Sequence, residues 1–131
     1  MLLLAVLLTF GAATAQTNVL PLASIGFPPV GLTMYQTSQL NLVNTSAPGG
    51  ILVNWRFIDA NGVVLAQSTI TLPLGTIVSV VYARQGGLLR AEVRAQVDIF
   101  TSVSADSLRA SLEVFNNDTG ATTVFVGGSA P

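Results

Sequence analysis

Hydrophobic and polar residues alternate along most of this chain with a period of two. Between Gln36 and Asn44, Leu40 and Leu42 fall on one side and Gln39 and Asn41 on the other. Ile51, Val53, Trp55 and Phe57 alternate with Leu52, Asn54, Arg56 and Ile58. The longest run sets Leu89, Ala91, Val93, Ala95, Val97 and Ile99 against Arg90, Glu92, Arg94, Gln96 and Asp98. Successive side chains of a strand point to opposite faces, so each run predicts a strand with one face in the core and one in water. Helical spacing would scatter the same apolar positions around the axis. Val63–Leu72, Thr76–Ala83, Leu108–Phe115 and Thr122–Val126 add further strands.

Turn residues separate these runs. Asn44–Gly50, Asp59–Gly62, Pro73–Gly75, Arg84–Gly87 and Asn116–Gly120 are rich in Asn, Asp, Gly and Pro. Asp-Ala-Asn-Gly and Asn-Asn-Asp-Thr-Gly are hairpin signals, because Asn and Gly tolerate positive φ. Seven or eight short strands at this spacing predict an all-β fold. The expected architecture is an antiparallel β-sandwich, immunoglobulin-like in the broad sense, with a barrel as the alternative.

The N-terminal stretch breaks the pattern. Met1–Phe10 is an unbroken apolar run, followed by Ala13-Thr14-Ala15. A short apolar segment followed by small residues is the layout of a cleaved secretory signal, although this one lacks Lys or Arg at its start. A spanning helix would need about 20 apolar residues, and Gln16-Thr17-Asn18 ends the run before that. The expected organisation is a signal peptide at 1–15, an irregular proline-containing leader at 16–30, a sandwich domain at 31–127 and a tail at 128–131. Pro21, Pro28 and Pro29 make the leader a segment feeding an edge strand, since proline cannot donate to a central ladder. This order implies bacterial-type export to the periplasm, the cell surface or the medium, with no stable membrane insertion after cleavage.

Composition narrows the chemistry. The chain of 131 residues has no Cys, no His and a net charge of −1; its five cationic residues are all Arg. Without a basic stripe there is little to neutralise phosphates, so nucleic acid is not an expected partner. Stability must come from packing and sheet hydrogen bonds rather than disulfides. The commonest general base, a thiol nucleophile, Schiff-base chemistry and most transition-metal sites are absent. No nucleophile elbow, phosphate loop or dinucleotide fingerprint occurs. We therefore expect no catalytic residues, no cofactor and no metal.

Carboxylates are the remaining reactive groups. Asp59, Asp106 and Asp118 sit in turns, where Asp bonds its own backbone. Glu92 lies two positions from both Arg90 and Arg94, the spacing of a solvated charge ladder. A hydrolase acting on glycans through Glu92 or Glu113 ranks last among the readings, because that chemistry needs two carboxylates facing one sugar. The turns at Asp59/Asn61 and Asn116/Asp118 offer oxygen ligands for calcium, but at lower carboxylate density than an EF-hand loop. Asn44-Thr45-Ser46 and Asn117-Asp118-Thr119 match the N-glycosylation acceptor. Trp55 is expected in the core between sheets. Phe100 and Phe115 fall on faces that otherwise carry charge, which makes them the candidate binding residues.

Gly31-Leu32-Thr33 with Gln36-Thr37, Gln39-Leu40-Asn41 and Val43-Asn44 resembles a recurring pattern in small, uncharacterised exported bacterial proteins. So do Leu88–Val97 (LLRAEVRAQV) and Ser111–Gly120 (SLEVFNNDTG) followed by Thr122-Thr123-Val124. The resemblance implies a single extracytoplasmic β-sandwich; some members carry a cysteine pair that this chain lacks. It supplies no catalytic residues. The expected function is a non-enzymatic binding or structural module with a protein or glycan partner. Self-association is the alternative, as a subunit of a surface filament or matrix built by strand addition.

Overall fold

A computed structural model describes residues 19–84, 86–87 and 89–129. The expected signal peptide lies outside the described residues. Among the described residues there is no helix, and the protein is a sandwich of two antiparallel sheets.

Nine strands form among the described residues, rather than seven or eight: β1 (Ala23–Gly26), β2 (Val30–Leu32), β3 (Gln36–Asn44), β4 (Ile51–Asp59), β5 (Val64–Leu72), β6 (Ile77–Ala83), β7 (Ala91–Ile99), β8 (Leu108–Asn116) and β9 (Thr122–Ser129). One sheet runs β1-β7-β4-β5, with β2 also on β7; the other runs β6-β3-β8-β9. The pairings β3–β6 and β4–β7 match those of the second, third, fifth and sixth strands of an immunoglobulin domain. The outer strands exchange places. β1 and β2 lie beside β7, where an immunoglobulin domain puts its last strand, and β8 lies beside β3, where it puts its first.

The alternation drives this packing. Leu40 and Leu42 of β3, Leu112 of β8, Val53 and Phe57 of β4 and Val97 of β7 are all buried between the sheets. Burying side chains of this size stabilises by roughly 1.5–3 kcal/mol each. Trp55 packs on that core but is only half-buried, its ring edge-on to Phe57 at 5.9 Å between centroids. Gly62 and Gly120 adopt φ of 82° and 73° in the β4–β5 and β8–β9 turns, the region glycine enters without strain.

Three sequence expectations need correction. The leader is not irregular: β1 and β2 dock in succession on β7, and Ile25, Phe27, Val30 and Leu32 enter the core. Their inward phase slips by one residue across Pro28-Pro29, which hides the alternation. The prolines are tolerated because this edge has no further strand to bond. At the other end, the tail is shorter than expected, since β9 runs on to Ser129 and pairs with Arg109. Leu89 lies before β7 and is exposed.

Candidate functional site

The two sheets present different surfaces to water. On the outside of the five-stranded sheet, Asp98 of β7 sits at the centre of a bonded cluster. Its Oδ2 accepts from Arg56 Nη2 at 2.7 Å, and its Oδ1 accepts from Ser24 Oγ at 2.7 Å and Gln96 Nε2 at 3.0 Å. Arg94 Nη1 donates to Gln96 Oε1, extending the chain of bonds along β7. Three neighbouring strands, β1, β7 and β4, are tied together by one carboxylate. The Asp98 side chain is only 8% exposed, against 26% for Arg56. The face expected to be wet is therefore closed over at this point.

The outside of the four-stranded sheet carries amides and hydroxyls along its middle, with one carboxylate, Glu113, among them. Cross-strand register sets Val81, Gln39, Glu113 and Phe125 in one row and Ser79, Asn41, Ser111 and Gly127 in the next. Gln39 Nε2 donates to Asn41 Oδ1 at 2.8 Å and to Glu113 Oε1 at 3.1 Å. Asn41 Nδ2 donates to Ser111 Oγ, while Asn41 Oδ1 accepts from Ser79 Oγ at 2.7 Å. This amide and hydroxyl ladder holds its side chains in fixed positions. Exposed apolar groups flank it: Ile77 (73% exposed) and Val81 (53%) on β6, and Phe125 (65%) on β9. At one end an open depression is bounded by Thr45, Ser46, Asp106, Arg109 and Phe125.

The candidate aromatics do not meet. Phe115 lies on the outside of the four-stranded sheet beside Thr37 and Thr122, half-buried. Phe100 follows β7 on the other sheet, where its N–H donates to the Leu52 carbonyl at 2.9 Å. One site cannot use both. The more exposed ring is Phe125, which the sequence reading passed over. Counting back from the Asn116–Gly120 turn sets Val124 opposite Glu113; the register shift between Val114 and Phe115 puts Phe125 there instead.

The candidate carboxylates are similarly separated. Glu92 is on the outside of the five-stranded sheet, 3.0 Å from Arg90 Nε, and Glu113 is on the outside of the other. They cannot flank one sugar. Asp59 and Glu92 do share a small depression, together with Arg94, Pro29 and Ile58.

Each turn weighed for calcium uses one of its side-chain oxygens internally. Asp59 Oδ1 accepts the N–H groups of Asn61 and Val63, and Asn116 Oδ1 accepts those of Asp118 and Thr119. Among the described residues no group of three or more His, Cys, Asp or Glu side chains is placed to hold a metal ion.

The two glycosylation triplets also part company. Asn44 is fully buried: its Nδ2 donates to the carbonyls of Ala47 and Leu72, and its Oδ1 accepts from the amides of Ser46 and Ala47. It plugs the turn between β3 and β4 and is closed to modification in the folded chain. Asn117 is exposed in the β8–β9 turn, its Oδ1 accepting from Thr37 Oγ1.

In comparison with known proteins, the chain matches no family model and no curated protein.

Proposed function

We propose that this chain is an exported, non-enzymatic β-sandwich module that binds a protein or glycan partner through the outer face of its four-stranded sheet. One observation carries the reading: the Gln39–Asn41–Ser79–Ser111–Glu113 ladder, held by its own hydrogen bonds and flanked by the exposed Phe125 ring. Fixed polar groups beside an exposed apolar surface bind with little ordering cost. The apolar N-terminal run, the small residues after it and the resemblance to small exported bacterial sandwiches support the compartment. The absence of His, Cys and Lys from the sequence supports a non-enzymatic role.

The test is a binding screen of the purified chain against polysaccharides and surface-protein extracts, repeated with Phe125→Ala and Asn41→Ala. We expect both substitutions to weaken whatever binding is detected at least tenfold while the chain stays folded. Binding that survives both would place the site elsewhere and defeat this reading.

A second reading, self-assembly by strand addition, is favoured by a separate observation. None of the five arginines or six carboxylates lies on a sheet-edge strand; β1, β2, β5, β6 and β9 are all uncharged. Soluble sandwiches commonly guard their edges with charge. The leader does not test this reading well, because removing it would take Ile25 and Phe27 out of the core.

A further inference from the structure

We infer that β6 is a self-complementary edge that pairs antiparallel with β6 of a second copy of this chain, joining two four-stranded sheets into one continuous sheet across a two-fold axis. The inference rests on the self-assembly reading and names its surface.

The other edges are interrupted or polar. The β1–β2 edge is short and broken by Pro28-Pro29. The β5 edge is interrupted by a register shift only at its hairpin end, but its unbroken stretch Ala66–Leu72 is polar, with Gln67, Ser68, Thr69 and Thr71; the β9 edge has a shift at Val114/Phe115 and carries Gly127 and Gly128. Proline, short length and bulges are the devices that keep edges from pairing. β6 has none of them. It runs in unbroken register from Ile77 opposite Val43 to Ala83 opposite Thr37, and its sequence, IVSVVYA, is β-branched, uncharged and free of Gly and Pro. Such segments pair readily with their own kind.

The backbone is oriented for this pairing. Arg84 N–H bonds the Gln36 carbonyl and Asn44 N–H bonds the Thr76 carbonyl, fixing which residues of this edge face β3. In an antiparallel ladder the bonded positions recur at every second residue. Val78, Val80 and Tyr82 therefore turn their backbone groups toward β3, and Ile77, Ser79 and Val81 turn theirs outward. Pairing Ser79 with Ser79 of a second copy puts each Ile77 opposite the other copy's Val81. Two such apolar pairs then flank the axis, and the outward donors and acceptors match. A two-fold contact must be self-complementary in this way. Opposed β-branched side chains are favourable cross-strand partners. The side chains involved, Ile77 and Val81, are the large apolar groups of the strand that are exposed.

The contact is small, below about 1,000 Å² of buried surface, so the association is weak and concentration-dependent. Its test is the light-scattering mass of the purified chain across a concentration series reaching roughly 1 mM, where contacts of millimolar Kd are populated. We expect the mass to rise toward that of two chains. Val81→Lys and, as a second variant at a more exposed position, Ile77→Lys should each weaken the association at least tenfold with unchanged near-UV circular dichroism. Thr69→Lys, on the β5 edge, should leave it intact. Association that persists in both β6 variants would overturn the β6 assignment while leaving self-assembly standing. A single-chain mass at every concentration would overturn both.

Discussion

The two outer faces of this sandwich use polar groups in opposite ways. On the five-stranded sheet, Asp98 gathers Arg56, Ser24 and Gln96 into a cluster that spans three strands and is mostly shielded from water. On the four-stranded sheet, the Gln39–Asn41–Ser111 ladder is half-exposed and flanked by Ile77, Val81 and Phe125. A charge taken out of water must be paired, so the first face is committed to holding the fold together. The ladder of the second face is mostly amides and hydroxyls, which carry a smaller desolvation penalty, and its one carboxylate, Glu113, stays partly in water. The difference separates a surface that stabilises from the surface we propose for recognition.

The largest effect expected from this contrast is on Asp98. Asp98→Ala leaves Arg56 half-buried without its carboxylate and cuts the tie to β1. Allowing for the exposure Arg56 retains, we expect a loss of about 3 kcal/mol in urea unfolding. A loss comparable to that of Glu113→Ala, expected to be about 1 kcal/mol or less, would erase the distinction between the faces. Double-mutant cycles sharpen it. The Arg56/Asp98 coupling should reach about 2 kcal/mol and the Gln39/Glu113 coupling about 0.5 kcal/mol.

Inside the four-stranded sheet, Ser38 is fully buried and its Oγ lacks a hydrogen-bond partner among the described residues. Ser38→Ala should raise stability by about 1 kcal/mol, read as a higher urea midpoint at unchanged slope. A loss of similar size would mean the hydroxyl is bonded after all. The smallest expected change is at Phe125. Phe125→Ala should alter stability by no more than about 0.5 kcal/mol, because the ring is mostly in water. A larger loss would make Phe125 part of the fold rather than of a binding face.

Much of the sandwich was legible from residue pattern alone. β3, β4, β7 and β8 are central strands whose alternation is long enough to declare both period and inner face. The turns at Asp59–Gly62 and Asn116–Gly120 announced their hairpins through local backbone chemistry. β1 and β2 were not legible, because their inward residues change phase at Pro28-Pro29 and each segment is too short to show a period. Asp98 looked like any wet-face carboxylate; only the arrival of β4 and β1 on either side closes it over. The proposed binding face was the least legible part. It depends on which strands become neighbours, and Phe125 meets Glu113 only through the β8–β9 register. Asn44 shows the same limit in reverse, where a modification triplet is in fact a buried plug for a turn.

The exchange of outer strands between the sheets has a kinetic consequence. β3 must wait for β8, as in the bond from Thr37 to Asn117, partners 80 residues apart. β1 must wait for β7, with Ser24 and Asp98 separated by 74 residues. Neither sheet can close until the last third of the chain has emerged, and folds of such high contact order form slowly, in milliseconds to seconds. The nascent chain thus lacks a closed sandwich until that last segment has been made.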